Sequence, residues 1–176
     1  MLLLTEIITY LAISILTLGL WSSFKNRSKQ KELCFLSGTL ILVLSASINY
    51  IFLGTLEVFA FVLLFLLQAI ANILVVFSRE ESVNTAIVIS FTMVLFLFFF
   101  LSGLLYNAYF FIISVGTALA AFGYKEPSEH LIRQNIFLMI AAFFESAFAF
   151  LTGQYIYIIL NVPFILFGAL IISENN

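Results

Sequence analysis

Seven long apolar runs, separated by short polar or turn-forming segments, constrain this chain more than any other feature. A helix needs about 20 predominantly apolar residues to cross the hydrocarbon core of a bilayer. Hydrophobic residues make up 64% of the 176 residues and charged residues only 9%, which is too apolar for an ordinary soluble domain. The predicted membrane helices are Leu3–Ser22, Leu33–Leu53, Leu56–Phe77, Asn84–Leu104, Asn107–Phe122, Leu131–Leu151 and Tyr155–Ile172. The sequence therefore predicts an all-α membrane protein with a single transmembrane domain over residues 1–176.

The apolar stretch from Asn84 to Phe122 is predicted to form two helices rather than one. A single helix of this length would extend about 58 Å at about 1.5 Å per residue. The hydrocarbon core of a bilayer is only about 30 Å thick. The chain must therefore turn near Gly103–Asn107, and this turn gives seven crossings.

The distribution of basic residues predicts the orientation. Lysine and arginine in short loops are retained on the cytoplasmic side of a membrane. All seven basic residues fall in the first, third and fifth connections, and the other connections contain none; they are Lys25, Arg27, Lys29, Lys31, Arg79, Lys125 and Arg133. We therefore expect the N terminus outside and the C terminus in the cytoplasm. The first apolar run lacks a basic start and a cleavage motif, so it is predicted to be a retained helix.

The order of elements repeats after about 100 residues. Helices one to three and helices five to seven each contain a charged connection followed by a tight turn, with Gly54 and Gly153 in the equivalent turns. One helix lies between these triplets, so both enter the membrane in the same direction. The sequence predicts two parallel three-helix repeats, 1–78 and 105–176, joined by a linker helix at 79–104. This 3+1+3 arrangement is SWEET-like.

Short patterns along the chain resemble the bacterial inner-membrane YgjV family. In the first half they are Phe24-Lys25-Asn26-Arg27, Asn49-Tyr50-Ile51-Phe52-Leu53-Gly54 and Gln68-Ala69-Ile70-Ala71-Asn72. In the second half they are Gly116-Thr117, Arg133 and Leu151-Thr152-Gly153. The resemblance implies a multi-pass protein of the bacterial cytoplasmic membrane. It also implies a distant similarity to carriers of the SWEET and PQ-loop type.

Polar side chains inside the hydrocarbon are costly, and they normally face a bundle interior or a watery cavity. Four helical stripes carry such residues. In the first helix the stripe is Glu6, Tyr10, Ser14, Thr17 and Trp21, and similar stripes occur in the third, fifth and seventh helices. We expect these stripes to face a shared cavity. The candidate substrate-binding residues are Thr17, Ser45, Asn49, Gln68, Asn72, Thr117, Glu145 and Asn161.

Glu145 is the candidate whose side chain can take the most different roles. It lies seven residues before Thr152, which places it about 10 Å inside the membrane at 1.5 Å per residue. An ionised carboxylate is costly at that depth, so Glu145 can carry a proton, bind a polar solute, or be protonated and bonded to a neighbouring helix. Gln68 can likewise line a cavity or hold two helices together. Asn161 lies two residues before Pro163, whose kink can be functional or merely structural.

The remaining composition argues against enzymatic function. Cys34 is the only cysteine and His130 the only histidine, and the chain has no aspartate. No metal set, no catalytic triad and no cofactor site is expected. The net charge of −2 and the lack of a basic run exclude a nucleic-acid partner.

Two functions of different classes remain open. The first is a small-solute transporter or facilitator with a mid-membrane polar cavity, acting on a neutral or zwitterionic solute. The second is a structural or regulatory protein that binds another membrane protein without transport. An intramembrane enzyme using Glu145 as acid or base has weaker support. The lipid bilayer is the expected environment, and a homo-oligomer stays open.

Overall fold

The structure, a computed structural model, describes residues 2–25, 28–77, 80–126 and 130–174. The helices are α1 (Leu2–Phe24), α2 (Ser28–Leu53), α3 (Leu56–Phe77), α4 (Glu81–Leu101), α5 (Ala108–Lys125), α6 (Leu131–Leu151) and α7 (Ile156–Glu174). Within the described ranges there is no β-strand, and seven helices are long and apolar enough to cross a membrane. The prediction of an all-α, seven-helix membrane protein is confirmed.

The predicted break between the fourth and fifth helices is also confirmed. Gly103 adopts a left-handed φ of 73°, a conformation that favours glycine because it has no Cβ atom. A short 3₁₀ turn, Leu104–Tyr106, follows. Asn107 then caps α5, because its side-chain oxygen accepts a hydrogen bond of 2.9 Å from the amide of Tyr109. These local features separate α4 from α5.

Six of the helices form a closed ring. In the first half, α1 packs on α2 and α2 on α3; in the second half, α5 packs on α6 and α6 on α7. Contacts of α3 with α5 and of α1 with α7 join the two halves. The remaining helix, α4, lies outside the ring and packs against α3 and α5. The interior of the ring is therefore enclosed by α1–α3 and α5–α7.

Glycines allow the helices of each half to approach closely. A Cβ atom added at Gly38 of α2 would lie 2.5 Å from Cγ of Leu16 on α1. A Cβ atom added at Gly123 of α5 would lie 2.8 Å from the side chain of Leu138 on α6. Both distances are shorter than any normal carbon contact, so these helix pairs depend on the missing side chains.

Buried charges mark one end of the ring, which we call the charged end. Lys31 donates a hydrogen bond of 2.9 Å to Oε1 of Gln134, and both side chains are buried. Because these residues lie near the starts of α2 and α6, the first and fifth connections are at the same end. The opposite end, with the Gly54 and Gly153 turns, is the turn end. Arg27 and Arg79, used above to predict orientation, lie outside the described residues.

Lys31 and Lys125 were predicted to lie in the first and fifth connections, and this prediction is wrong. Lys31 belongs to α2 and Lys125 ends α5, and both are buried. Lys125 donates a hydrogen bond of 2.8 Å to the hydroxyl of Thr85 on α4. The buried carboxylate of Glu126 lies 3.5 Å from Lys125 and 3.3 Å from Arg133. Polar partners on neighbouring helices make this burial possible.

Candidate functional site

A carboxylate is buried in the middle of the ring. Nε2 of Gln68 on α3 donates a hydrogen bond of 2.9 Å to Oε1 of Glu145 on α6, and both side chains are buried. The two helices belong to different halves of the ring. Hydrogen bonds between polar side chains of different helices hold membrane helices together. This pair therefore joins the two halves at the centre.

Asn161 of α7 completes the polar centre. Its side-chain amide faces the carboxylate of Glu145, and it is almost fully buried. Among the described residues, its Nδ2 atom has no hydrogen-bond partner. An unsatisfied buried donor is costly, so such a group in a native structure calls for an explanation.

A small cavity adjoins these three side chains. Its volume is about 10 Å³, which is about the space that one water molecule needs. Every helix of the ring contributes to its walls, and α4 contributes none. The lining residues are Leu16, Leu42, Gln68, Ala120, Tyr124, Leu138, Ala141, Ala142, Glu145, Leu160, Asn161 and Phe164. The polar centre thus adjoins a space of about the size of one water molecule.

Asn72 extends the polar centre by one turn towards the charged end. Its Nδ2 atom donates to the backbone oxygen of Gln68 at 3.0 Å and approaches the hydroxyl of Thr39 on α2 at 3.4 Å. Thr39 lies on the same face of α2 as Phe35 and Lys31, at steps of four residues. A line of polar groups therefore leads from Glu145 towards the charged end, interrupted by Phe35.

A group of aromatic rings lies between the polar centre and the turn end. Phe61 and Tyr157 stack with their ring centroids 4.0 Å apart, and Phe148 lies 5.2 Å from Phe61. Tyr157 precedes Asn161 by one helical turn, and Phe148 follows Glu145 by three residues, so these rings lie about 5 Å from the carboxylate level. Phe65 and Phe110 also contact this group. We call these five residues the turn-end layer.

A second aromatic group closes the charged end of the cavity. Phe35 of α2, Tyr124 of α5 and Phe164 of α7 contact one another, with centroid distances of 5.3, 6.3 and 6.2 Å. Tyr124 and Phe164 also line the cavity. We call these three residues the charged-end layer. The polar centre therefore lies between two aromatic layers, each built from helices of both halves.

The structure brings together some of the predicted site residues. Gln68, Glu145 and Asn161 line the cavity, and Asn72 lies beside them. The other four predicted residues do not line it. Thr17, Ser45, Asn49 and Thr117 remain predictions as binding residues.

Three of these four residues have hydroxyl groups, and each hydroxyl forms a hydrogen bond within the protein. The hydroxyl of Thr117 donates to the oxygen of Ile113 at 2.7 Å, and that of Thr17 donates to Ile13 at 2.8 Å. Ser45 instead bonds to the hydroxyl of Thr9 at 2.6 Å and joins α2 to α1. Their hydroxyl groups are satisfied without a solute.

The predicted inward face of α1 is wrong. Glu6, Tyr10, Ser14 and Trp21 are exposed, and Thr17 is half-buried. Ser14 can face outwards because its hydroxyl donates to the oxygen of Tyr10 at 2.9 Å, which leaves no unpaired group in the lipid. The predicted stripes of α3 and α7 are turned inwards, as is that of α5 from Phe110 onwards.

Tyr157 belongs to the stripe predicted on the seventh helix, one turn before Asn161, and its side chain is only 1% exposed. Asn49 lies near its hydroxyl. Sequence reasoning missed Tyr124, because its position beside Glu145 depends on how α5 packs against α6.

Within the described residues, no three histidine, cysteine, aspartate or glutamate side chains are grouped as metal ligands. The resemblance to the YgjV family stays a prediction based on its short sequence patterns. No protein family, curated protein or solved structure matches the chain.

Proposed function

We propose that this protein is a transporter of a small neutral or zwitterionic solute in the bacterial cytoplasmic membrane. One observation carries the proposal. Glu145, Gln68 and Asn161 form a polar centre at a cavity whose walls come from six helices. Ionisable groups inside a membrane are expensive to keep, and they typically mark substrate or ion pathways. The solute binds to these three side chains.

The proposed mechanism is rocking of α1–α3 against α5–α7. The two halves pack in the same order, and the two contacts between them, α3 with α5 and α1 with α7, correspond under the proposed repeat. This agreement supports a parallel 3+1+3 arrangement. Parallel repeats of this kind in transporters alternate access around a fixed central site.

The two aromatic layers act as gates in this mechanism. Each layer contains rings from both halves of the ring, so movement of one half against the other separates the rings of one layer at a time. Opening the turn-end layer exposes Glu145 and Asn161 to one side of the membrane. Opening the charged-end layer exposes them to the other side. The closed cavity then corresponds to the occluded state between these two.

The orientation is part of the same proposal. The described lysines and arginines lie in or beside the first and fifth connections, and the Lys31–Gln134 bond brings these connections to one end. Basic residues are retained in the cytoplasm. The charged end is therefore cytoplasmic, and the turn end faces outwards, as does the N terminus.

Uptake into proteoliposomes tests the proposal. Radiolabelled neutral and zwitterionic solutes are supplied to the wild type and to the Glu145→Gln and Asn161→Ala variants. Wild-type uptake above that of protein-free vesicles, lost in both variants, is the expected result. Ser14→Ala is the control, because Ser14 is exposed and its hydroxyl bonds to its own helix. Full uptake in both variants would remove these residues from the mechanism.

The size of the cavity favours a second candidate, a structural or regulatory protein that binds another membrane protein. A cavity of about 10 Å³ admits about one water molecule, and the polar centre then serves as packing. The exposed phenylalanines of α4 would form the binding surface. Co-purification with one partner at fixed stoichiometry, together with no uptake of any solute tested, would favour this candidate over transport.

A further inference from the structure

The fold contains two buried carboxylates with different surroundings. Glu126 at the charged end lies within 3.5 Å of the amino group of Lys125 and within 3.3 Å of the guanidinium group of Arg133. Glu145 at the centre forms no ion pair with any residue in the described part of the chain. A buried charge normally requires a compensating partner. The charge of Glu145 therefore lacks the compensation that the same fold provides for Glu126.

The polar neighbours of Glu145 are uncharged amides. Gln68 presents its NH₂ group to Oε1 at 2.9 Å, and the amide of Asn161 faces the same carboxylate. A protonated carboxyl group is itself a donor and needs an acceptor, whereas an ionised one only accepts. Both amides can donate to the carboxylate, but neither carries a charge, so an ionised Glu145 would lack a counter-charge.

The remaining walls of the cavity suit a cation. Tyr124 and Phe164 line the cavity beside Glu145, and aromatic faces attract ammonium groups. An ammonium group is close in size to the water molecule that the cavity can hold. An ammonium group would donate hydrogen bonds to the carboxylate. These bonds are stronger than those donated by a neutral hydroxyl group.

We propose that the solute of this site carries a small primary ammonium group, which supplies the missing positive charge at Glu145. The inference rests on the proposed function and narrows it from neutral or zwitterionic solutes to amines, including zwitterions that bear one. The rest of the solute occupies space that forms when one aromatic layer opens. Polyols and sugars lack the required charge and are not substrates.

Thermal unfolding of the purified full-length protein in detergent tests this proposal without requiring transport. The probes are ethylammonium chloride, glycerol, and sodium chloride at equal ionic strength. At about five times Kd, ethylammonium is expected to raise Tm by about 2–4 °C, whereas glycerol and sodium chloride give no such shift. The shift is expected to disappear in Glu145→Gln. It is expected to persist in Glu6→Gln, because Glu6 is exposed on α1.

An equal shift with glycerol, no ethylammonium shift in the wild type, or an undiminished shift in Glu145→Gln would each overturn the proposal. Acidification that stabilises the protein as much as ethylammonium, and abolishes its effect, would also overturn it, because a proton would then neutralise Glu145. If Glu145→Gln fails to fold, wild-type protein is treated with a hydrophobic carbodiimide and its peptides are analysed by mass spectrometry. Ethylammonium is expected to protect Glu145 several-fold from modification, and equal labelling with and without it would overturn the proposal.

Failure of this inference differs from failure of the proposed function. Uptake of a neutral solute, with no shift of Tm by ethylammonium, would refute the proposed amine specificity and still support transport. A shift of Tm by ethylammonium that requires Glu145, with no uptake of any amine, would support the amine-binding site and refute transport.

Discussion

Gln68 donates its side-chain hydrogen bond to Glu145 over 2.9 Å and thereby connects α3 to α6 across the middle of the ring. The two residues are 77 positions apart in the sequence. The pair is consequently both a link between the two halves and the most direct probe of the centre.

A double-mutant cycle on this pair measures the link. Gln68→Leu and Glu145→Leu each remove one partner, and the double variant removes both. Interhelical hydrogen bonds in membranes couple by about 0.6 kcal/mol on average and at most about 1.7 kcal/mol. We expect a coupling of about 1–1.7 kcal/mol, at the upper end of this range, because both side chains are buried. Unfolding in mixed micelles provides the free energies, and a coupling near zero would contradict the geometry. A cycle on Ser14→Ala and Thr17→Val is the control, since both hydroxyls bond only to their own helix.

The Lys31–Gln134 bond at the charged end predicts that a single substitution lowers the free energy of unfolding more than the double substitution does. Gln134→Leu leaves a buried ammonium group without its hydrogen-bond acceptor, and we expect a loss of about 1–3 kcal/mol in the free energy of unfolding. Adding Lys31→Met removes the charge as well, so the double variant is expected to regain most of this loss. Lys29→Met, at an exposed position of the same helix, is the control. A double variant less stable than Gln134→Leu alone would refute the argument.

Gly38→Ala tests the close packing of α1 against α2. The added methyl group would lie 2.5 Å from Cγ of Leu16, so the helices must separate or the leucine must change its rotamer. Overpacking of this kind costs about 1–3 kcal/mol. Ser37→Ala, at an exposed neighbouring position, is expected to change the free energy of unfolding by less than about 0.5 kcal/mol. Equal stability of the two variants would show that the two helices are not held at this distance.

Labelling of a single cysteine can test the two gates. In a Cys34→Ser background, Ala142→Cys places a thiol in the wall of the closed cavity, and we expect slow reaction with a charged thiosulfonate reagent. Phe61→Ala removes a ring from the turn-end layer and is expected to accelerate labelling several-fold from outside. Phe164→Ala is expected to do so from the cytoplasm. Phe91→Ala is the control, because Phe91 is exposed on α4. Equal rates of labelling from the two sides of the membrane in every variant would exclude gating by these layers.

Membrane-impermeant maleimides test the orientation. In the same cysteine-free background, Tyr106→Cys is expected to react in intact cells, because Tyr106 is exposed at the turn end. Lys25→Cys and His130→Cys are exposed at the charged end and are expected to react only after permeabilisation. Labelling of Lys25→Cys and His130→Cys from opposite sides would break the proposed parallel repeat. If all three cysteines react from the side opposite to the expected one, the parallel repeat still holds and the proposed orientation in the membrane is wrong.

Much of the fold could be predicted because the bilayer sets the length of each helix. The bounds of α3 and α6 agree with the structure to the residue, and the length of the apolar stretch from Asn84 to Phe122 predicted the count of seven. The face that each helix buries was harder to predict. The stripe on α1 failed because serine and threonine satisfy their hydroxyl groups within their own helix, so they do not indicate an interior.

The candidate site could be predicted in part for a related reason. Gln68, Glu145 and Asn161 have more hydrogen-bonding groups than one helical turn can satisfy, so their positions indicated a shared interior. Their mutual contact could not be predicted, because it depends on how three helices from two halves pack. Lys31 was assigned to a loop because a lysine at the end of an apolar run usually lies in solvent. Its partner Gln134 is 103 residues away.

The distance in sequence between Gln68 and its partner also has a consequence for synthesis. Domains emerge from the ribosome with the N-terminal part first, so α1–α3 enter the bilayer before α6 has been translated. Until then the side-chain amide of Gln68 lacks its partner, whereas that of Asn72 already bonds within the first half. The nascent chain therefore passes through a stage in which α3 carries one uncovered amide in the bilayer.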